Sequence, residues 1–389
     1  MSVQYRGAEL PIEDFTRIPS GTGSGLVLDT YNPNQGILPG QVAVLFLTGR
    51  SEGTGDDEVG VPCPVPSAVP DAALDGTGVG DSFRITTDVP VVAYQVKPYG
   101  GGRVALTGAT LLIPTSAWST DYVAVQSAAE ASGFPSMNIV ARDDNTVLSI
   151  TPTASIEPGP GVPGVGANQI MQIELQRGQQ LQITQPSELT GSIVSANRPI
   201  GLMAGHECMN VPLDTDYCDH GEQMVPPVTA LGNRFAGVMY RPRVPHETTT
   251  FWRLIGVADG TRLTYSTDVG GPSSLDLGES KTFSTGTPFE VSSQDAQHPF
   301  ILFTYMTGSK FVEEGYGDPD FVLVVPPTQY LQHYVFYTDP TYPETSLVVV
   351  RSRGIDGEFK DVTLDCAGAL DGWQSITTDL EFTRRTVST

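Results

Sequence analysis

Three stretches of this chain repeat one pattern at intervals near a hundred residues, and that repetition limits its possible folds more than any other feature. FRITTDVPVVAYQ (83–95), GSIVSANRPIGLMAGH (191–206) and FEVSSQDAQHPFILFTY (289–305) each run from a β-type segment through a polar turn and a proline into a second apolar segment. The prolines, Pro90, Pro199 and Pro299, stand 109 and 100 residues apart. A second series is LLIPTSAWSTDYVAV (111–125), QMVPPVTALGNRFAGV (223–238) and LVVPPTQYLQHYVFY (322–337), with Pro114, Pro227 and Pro327 separated by 113 and 100. A third lies between them. MNIVARDDNTVLSIT (137–151) and WRLIGVADGTRLTYS (252–266) read as two strands joined by a tight acidic turn, because Asp-Asn and Asp-Gly favour the left-handed backbone of hairpins. SLVVVRSRGIDGEFKDVTLDC (346–366) reads as the same element with a longer loop.

Each interval holds seven or eight apolar runs of period-two character, such as IMQIEL and QLQIT, and almost nothing of helical period. SAAEAS (127–132) is the best helical candidate and it is short. The fold class is therefore all-β, built of antiparallel strands repeating every hundred residues or so, and the 42 glycines and 31 prolines suit many short strands and turns. Eight meandering strands per repeat would make two propeller blades, and seven would make an immunoglobulin-like sandwich. Short links between neighbouring strands favour the propeller-like ring, with tandem β-sandwiches as the alternative. The divisions expected are a divergent first repeat (1–110), a second (111–222), a third (223–320) and a fourth (321–389). The fourth shows its paired prolines and its hairpin but not its closing strand pair, so a truncated C-terminus is expected.

The chain carries 44 acidic and 21 basic residues, a net charge of −23. Phosphate binding needs clustered Lys and Arg, so DNA, RNA and anionic membrane surfaces are excluded as partners. Solubility explains the acidity, with calcium binding as the sharper reading. No stretch approaches the roughly 20 apolar residues of a membrane span, and MSVQYRGAELPIEDF has no apolar core of a signal peptide.

The segment HECMNVPLDTDYCDH (206–220) looks most like chemistry. His206, Cys208, Cys218 and His220 could be four zinc ligands, because residues two apart share a face of a strand; alternatively Cys208 and Cys218 form a disulfide. Cys63 and Cys366 could pair with each other or with residues outside this piece. No G-x-S-x-G, H-E-x-x-H or P-loop occurs, and no cofactor or catalytic residue is assigned. GTGVGD (76–81) leads into a strand, so it reads as a loop and not as a phosphate cradle; DTDYCDHGE (214–222) lacks the EF-hand order. His246, His298 and His333 are scattered. Trp118, Trp252 and Trp373 lie by apolar runs and read as core, with an exposed sugar platform as the sharper option. KPYGGGR (97–103) reads as a turn.

GHECMNVP with CDHGEQMVPPVTALG (205–212, 218–232), DPTYPETSLVVVR (339–351), DVTLDCAGALDGW (361–373), TTDVPVVAYQVKPYGGG and ATLLIPTSAWSTDYVAV (86–102, 109–125) resemble the IgGFc-binding protein N-terminal domain family, nearest to its bacterial members. The resemblance implies a secreted or surface-attached domain that continues past this piece. The namesake's cysteine-rich modules do not appear, so binding of immunoglobulin Fc is not carried over. Outside the cell Cys208 and Cys218 can oxidise, and His-x-Cys twice is an uncommon zinc pattern, so the disulfide is the preferred reading. The expected function is a non-enzymatic extracellular recognition or adhesion domain. Its ligand would be a glycan or a secreted or surface protein, held by loops at 51–80, 152–168, 205–222 and 306–320. The alternatives are a secreted hydrolase or lyase with an acidic central site, and a purely structural module of a larger surface protein.

Overall fold

The computed structural model describes residues 1–389 apart from 23–24, 50–62, 98, 101–107, 128–132, 313–316, 343, 366 and 389. Strands dominate, and among the described residues the one α-helical turn is Ile12–Phe15. The first stretch holds β1 (Ser2–Tyr5), β2 (Ala8–Glu9), β3 (Thr16–Ser20), β4 (Val27–Thr30), β5 (Val44–Leu45), β6 (Gly78–Asp81), β7 (Phe83–Thr86), β8 (Tyr94–Lys97) and β9 (Gly108–Leu111). Next come β10 (Ser119–Val123), β11 (Pro135–Ala141), β12 (Thr146–Thr151), β13 (Met171–Leu175), β14 (Gln179–Thr184), β15 (Ile193–Met209) and β16 (Asp219–Val225). A third group is β17 (Arg234–Gly237), β18 (Thr250–Gly256), β19 (Thr261–Tyr265), β20 (Ser274–Leu275), β21 (Ser280–Thr285), β22 (Phe289–Ser293), β23 (Phe300–Met306) and β24 (Asp320–Leu323). The last is β25 (Glu344–Ser352), β26 (Thr363–Leu364), β27 (Gly368–Ala369), β28 (Gln374–Ser375) and β29 (Leu380–Ser388).

The third group forms two four-stranded sheets, β17-β22-β19-β20 and β21-β18-β23-β24. Aromatic rings join them across one core: Trp252 of β18 meets Phe289 of β22 edge-on at 5.0 Å, and Phe235 of β17 meets Phe300 of β23 at 4.8 Å. This is a sandwich. The second group repeats it strand for strand. β10 and β12 flank the first half of β15, with β13 beyond β12; β11 and β16 flank its second half, with β14 beyond β11. Numbered one to eight in chain order, the positions pair identically in both units, with β15 supplying the sixth and seventh as one bent strand.

The all-β class stands, and the strand pairing follows the sandwich alternative in place of the ring of blades. A meander would pair β11 with β12 and β18 with β19. Instead β11 and β12 lie end to end along β15, from Pro135 opposite His206 to Ala141 opposite Ile200, then from Leu148 opposite Ala196 to Thr151 opposite Ile193. The acidic turns are therefore corners, at which the chain passes from one sheet to the other. Facing each corner is the Ser-to-Pro segment of the first repeated pattern. Val147 N–H donates to Asn197 Oδ1 at 2.8 Å and Asn197 Nδ2 donates to Asn145 O at 3.2 Å. In the next unit Arg262 N–H donates to Gln294 Oε1 at 2.8 Å and Gln294 Nε2 to Gly260 O at 2.9 Å. Asn145 and Gly260 both have positive φ, 55° and 66°, as the sharp corner requires.

The second pattern is a single 3₁₀ turn following a proline, at Thr115–Ala117, Val228–Ala230 and Pro327–Gln329. The prolines that precede it are Pro114, Pro227 and Pro326, so the third marker is Pro326 and not Pro327. A common register ties both patterns together. The residue four after the corner proline pairs with the residue three before the turn proline in all three copies: Tyr94 with Leu111, Met203 with Met224, Phe303 with Leu323. Alternate residues of β11 and β12 are buried, as period two demands. Residues of the third group, among them Ile255, Ile301, Phe303 and Tyr305, continue the core of the second. Arg253 reaches across the same junction to Glu188 at 2.6 Å and donates to Gln126 O at 3.2 Å.

Candidate functional site

The second half of β15 and the strand β16 run antiparallel and carry HECMNVPLDTDYCDH between them. Gly205 lies opposite Glu222 and His206 opposite Gly221, and the register then shifts before Met209 meets Asp219. That shift brings the Cα atoms of Cys208 and Cys218 to 5.0 Å, and their sulfurs are bonded. With both sulfurs in that bond, the zinc arrangement of His206, Cys208, Cys218 and His220 is not formed. Among the described residues no three His, Cys, Asp or Glu side chains are placed to hold a metal ion. Gly221 has a packing reason: a Cβ there would sit 2.9 Å from Met209 Cε and 2.9 Å from Phe321 Cε1.

The closed loop is braced from within and from the next sandwich. Thr215 donates its N–H and its hydroxyl to Pro212 O at 3.2 and 2.7 Å. Gly308 N–H donates to Val211 O at 2.8 Å. Its tip faces solvent: Leu213 is 44% exposed, and Tyr217, held at a φ of 67°, is 68% exposed. A large aromatic at positive φ is a costly conformation that only its surroundings can maintain.

Beneath the disulfide lies a buried polar cluster. His206 is almost wholly enclosed; its Nδ1 accepts the N–H of Cys208 at 3.0 Å, which leaves the proton of the neutral ring on Nε2. Burial, and then the His220 ring, push its pKa down to about 4. His220 N–H donates to Asp219 Oδ1 at 2.7 Å, and its Nε2 lies 3.4 Å from Glu222 Oε2. Glu222 is buried; Gln95 Nε2 of β8 donates to its Oε2 at 2.5 Å, while Oε1 has no hydrogen-bond partner among the described residues. Asp320 of β24 comes from the neighbouring sandwich. Its Oδ1 accepts the Phe321 N–H at 2.8 Å, and burial, then the charges of Asp219 and Glu222, raise its pKa to about 8. Asp320 also lines a cavity of about 630 Å³ whose walls include Tyr94, Leu111, Met224, Val322 and Tyr337. Those apolar walls are what desolvate a carboxyl that retains some accessible surface.

Other sequence candidates take structural places. Trp252 is buried and donates Nε1–H to Thr285 O at 3.0 Å. Trp118 packs over Gly201, where a Cβ would lie 2.5 Å from its ring, and Trp373 has the Arg351 guanidinium 3.8 Å from its ring centroid. His246 Nε2 lies 3.1 Å from Val312 O and His298 Nδ1 lies 2.6 Å from Asp295 Oδ1, while His333 is exposed. Within GTGVGD, residues 78–81 form β6, paired to β14. The 152–168 loop folds on itself through Ile156–Val165 and Gly159–Val162 bridges and buries Ile156 and Val162. Cys63 has no disulfide partner among the described residues, and its burial raises its pKa. Cys366, most of SAAEAS and of KPYGGGR, and residues 51–62 of the 51–80 loop lie outside the described residues, as do residues 313–316 of the 306–320 loop. Asp219 and Glu222 fall within DTDYCDHGE, whose alternating acids were weighed as a calcium loop, whereas Gln95 and Asp320 were not singled out; the signal for Asp320 was an acid opening an otherwise apolar strand, in DFVLVV.

The chain is thus a protein of duplicated β-sandwiches packed on one another, with a disulfide-closed loop at the end of a central strand. The chain belongs to the IgGFc binding protein family, whose sequence profile matches residues 108–389. The human IgGFc-binding protein is 25% identical to it over 273 residues, covering 69% of this chain and 5% of that protein. No solved structure matches. No helix among the described residues is long and apolar enough to cross a membrane.

Proposed function

We propose that this chain is a non-enzymatic recognition domain of an extracellular or cell-surface protein, which holds a glycan or protein ligand through loops on its β scaffold. The observation that carries this reading is the loop 208–218, closed by its disulfide, docked on Gly308 and presenting Leu213 and Tyr217 to solvent. A contact surface fixed before binding loses little entropy on binding, and Tyr is a frequent anchor of such surfaces. The disulfide fits an oxidising compartment. The family name and the human relative's printed name describe binding proteins; immunoglobulin Fc is not assigned to this chain. A charge of −23 suits basic or neutral polar ligands and opposes nucleic acid. Glycan and protein arrays probed with the oxidised and the reduced domain test the reading. Binding that is lost on reduction supports it, and an array without a reproducible hit contradicts it.

One observation favours a second reading, a secreted hydrolase. The carboxyls of Asp219, Glu222 and Asp320 interact where the two sandwiches meet, and Asp320, which alone of the three lines the cavity, has its pKa raised to about 8. Cleavage of an array glycan that Asp320→Asn abolishes would establish it; intact glycans after prolonged incubation would remove it.

A further inference from the structure

The two complete sandwiches show where the strands at either end of the chain belong. In each, the seventh strand lies between the second and the eighth: the second half of β15 between β11 and β16, and β23 between β18 and β24. The ends of the chain hold complementary parts of this pattern. β25 pairs with β29 as second with fifth, and β26 with β27 as third with fourth. β8 pairs with β9 as seventh with eighth, in the same register as both complete units. Among the described residues β8 has no ladder on its other edge, where a second strand belongs, and β25 has none where a seventh belongs.

The two open edges already meet at one corner. In each sandwich the loop joining the first and second strands caps the end of the seventh: Glu207 N–H donates to Phe134 O at 3.1 Å, and Arg243 Nη1 donates to Thr307 O at 2.7 Å. Between the chain ends a hydrogen bond falls near the corresponding place, with Gly100 N–H beyond β8 donating to Asp339 Oδ2 at 3.1 Å. Apolar surface remains uncovered on both sides, at Val91 and Val92 before β8 and at the half-buried Val348–Val350 of β25. Unpaired edges of this kind are costly unless covered.

We propose that β8 is a strap that closes onto β25 within one chain, so that β7 and β8 serve as the sixth and seventh strands of the last sandwich. The result is a ring of three sandwiches whose eighth strands, β9, β16 and β24, surround the cavity lined by Asp320. The place beside β7 that a first strand would take is held by β1, which accounts for the exposure of Leu331, Tyr334, Val335 and Phe336.

Residue-resolved hydrogen exchange on the full chain tests this, because successive amides of a strand point to opposite edges. Closure predicts protection of every amide from 345 to 351, independent of protein concentration. It also predicts that Asp339→Ala speeds exchange of the outward-facing set by about tenfold or more while β11 and β18 are unchanged. Alternate amides of β25 exchanging freely in the unaltered chain would overturn the proposal. So would protection that appears only as the protein dimerises, since a second copy would then be the occupant.

Discussion

Gly191 and Gly278 meet backbone to backbone across the junction of the two complete sandwiches, and a Cβ on Gly191 would overlap the Gly278 carbonyl. Both have positive φ, 87° and 77°, so steric space and backbone conformation select glycine together. Gly191→Ala is expected to cost about 2–3 kcal/mol, from overpacking and left-handed strain combined. The loss should be seen as a lower denaturant midpoint with an unchanged slope.

The corner clamps should behave as a matched pair. Asn197→Ala and Gln294→Ala each remove two hydrogen bonds to the opposing turn, and each is expected to cost about 1 kcal/mol, because these bonds are solvent-accessible. Equal losses by equilibrium denaturation would confirm that the two corners are equivalent. A loss at only one of them would contradict it.

The periodicity of these corners was legible in the sequence, but their role was not. Asp-Asn and Asp-Gly announce a reversal, and local residues cannot say whether the partner strand comes next or fifty residues later. Here β12 pairs with β13 and β15, so a hairpin signal became a corner between sheets. Cys208 and Cys218 were readable because both bonded atoms lie in one short segment. The acid cluster was hidden because Glu222 and Asp320 are brought together only by the packing of separate sandwiches, and Gln95 by a third element.

The disulfide should stabilise its loop and leave the core intact. Cys208→Ser with Cys218→Ser is expected to cost about 2.5–3 kcal/mol on the chain-entropy account. Exchange protection should be lost over 209–217 and kept in β11 and β18. Intact mass before and after reduction and alkylation checks the bond itself.

Stability should depend on pH through Asp320 and His206 in opposite senses. The folded carboxyl of Asp320 holds its proton to about 8 against an ordinary 3.8, so folding is penalised progressively as pH rises through that interval. His206 titrates at about 4 in the fold against 6.5, so its stabilising neutrality is lost as pH falls from 6.5 towards 4. From 6.5 to about 8 Asp320 alone of the two changes charge. The denaturation midpoint of the unaltered protein should fall across that window, and that of Asp320→Asn should stay level.

The proposed role of the disulfide-closed loop as the ligand-contacting surface is tested by the affinity of Leu213→Ala and Tyr217→Ala variants for an array-identified ligand. Both side chains are exposed, so melting curves should be unchanged while Tyr217→Ala weakens binding by about 2 kcal/mol or more, the range of an aromatic anchor. Binding by both variants with the affinity of the unaltered domain would place the contact surface elsewhere.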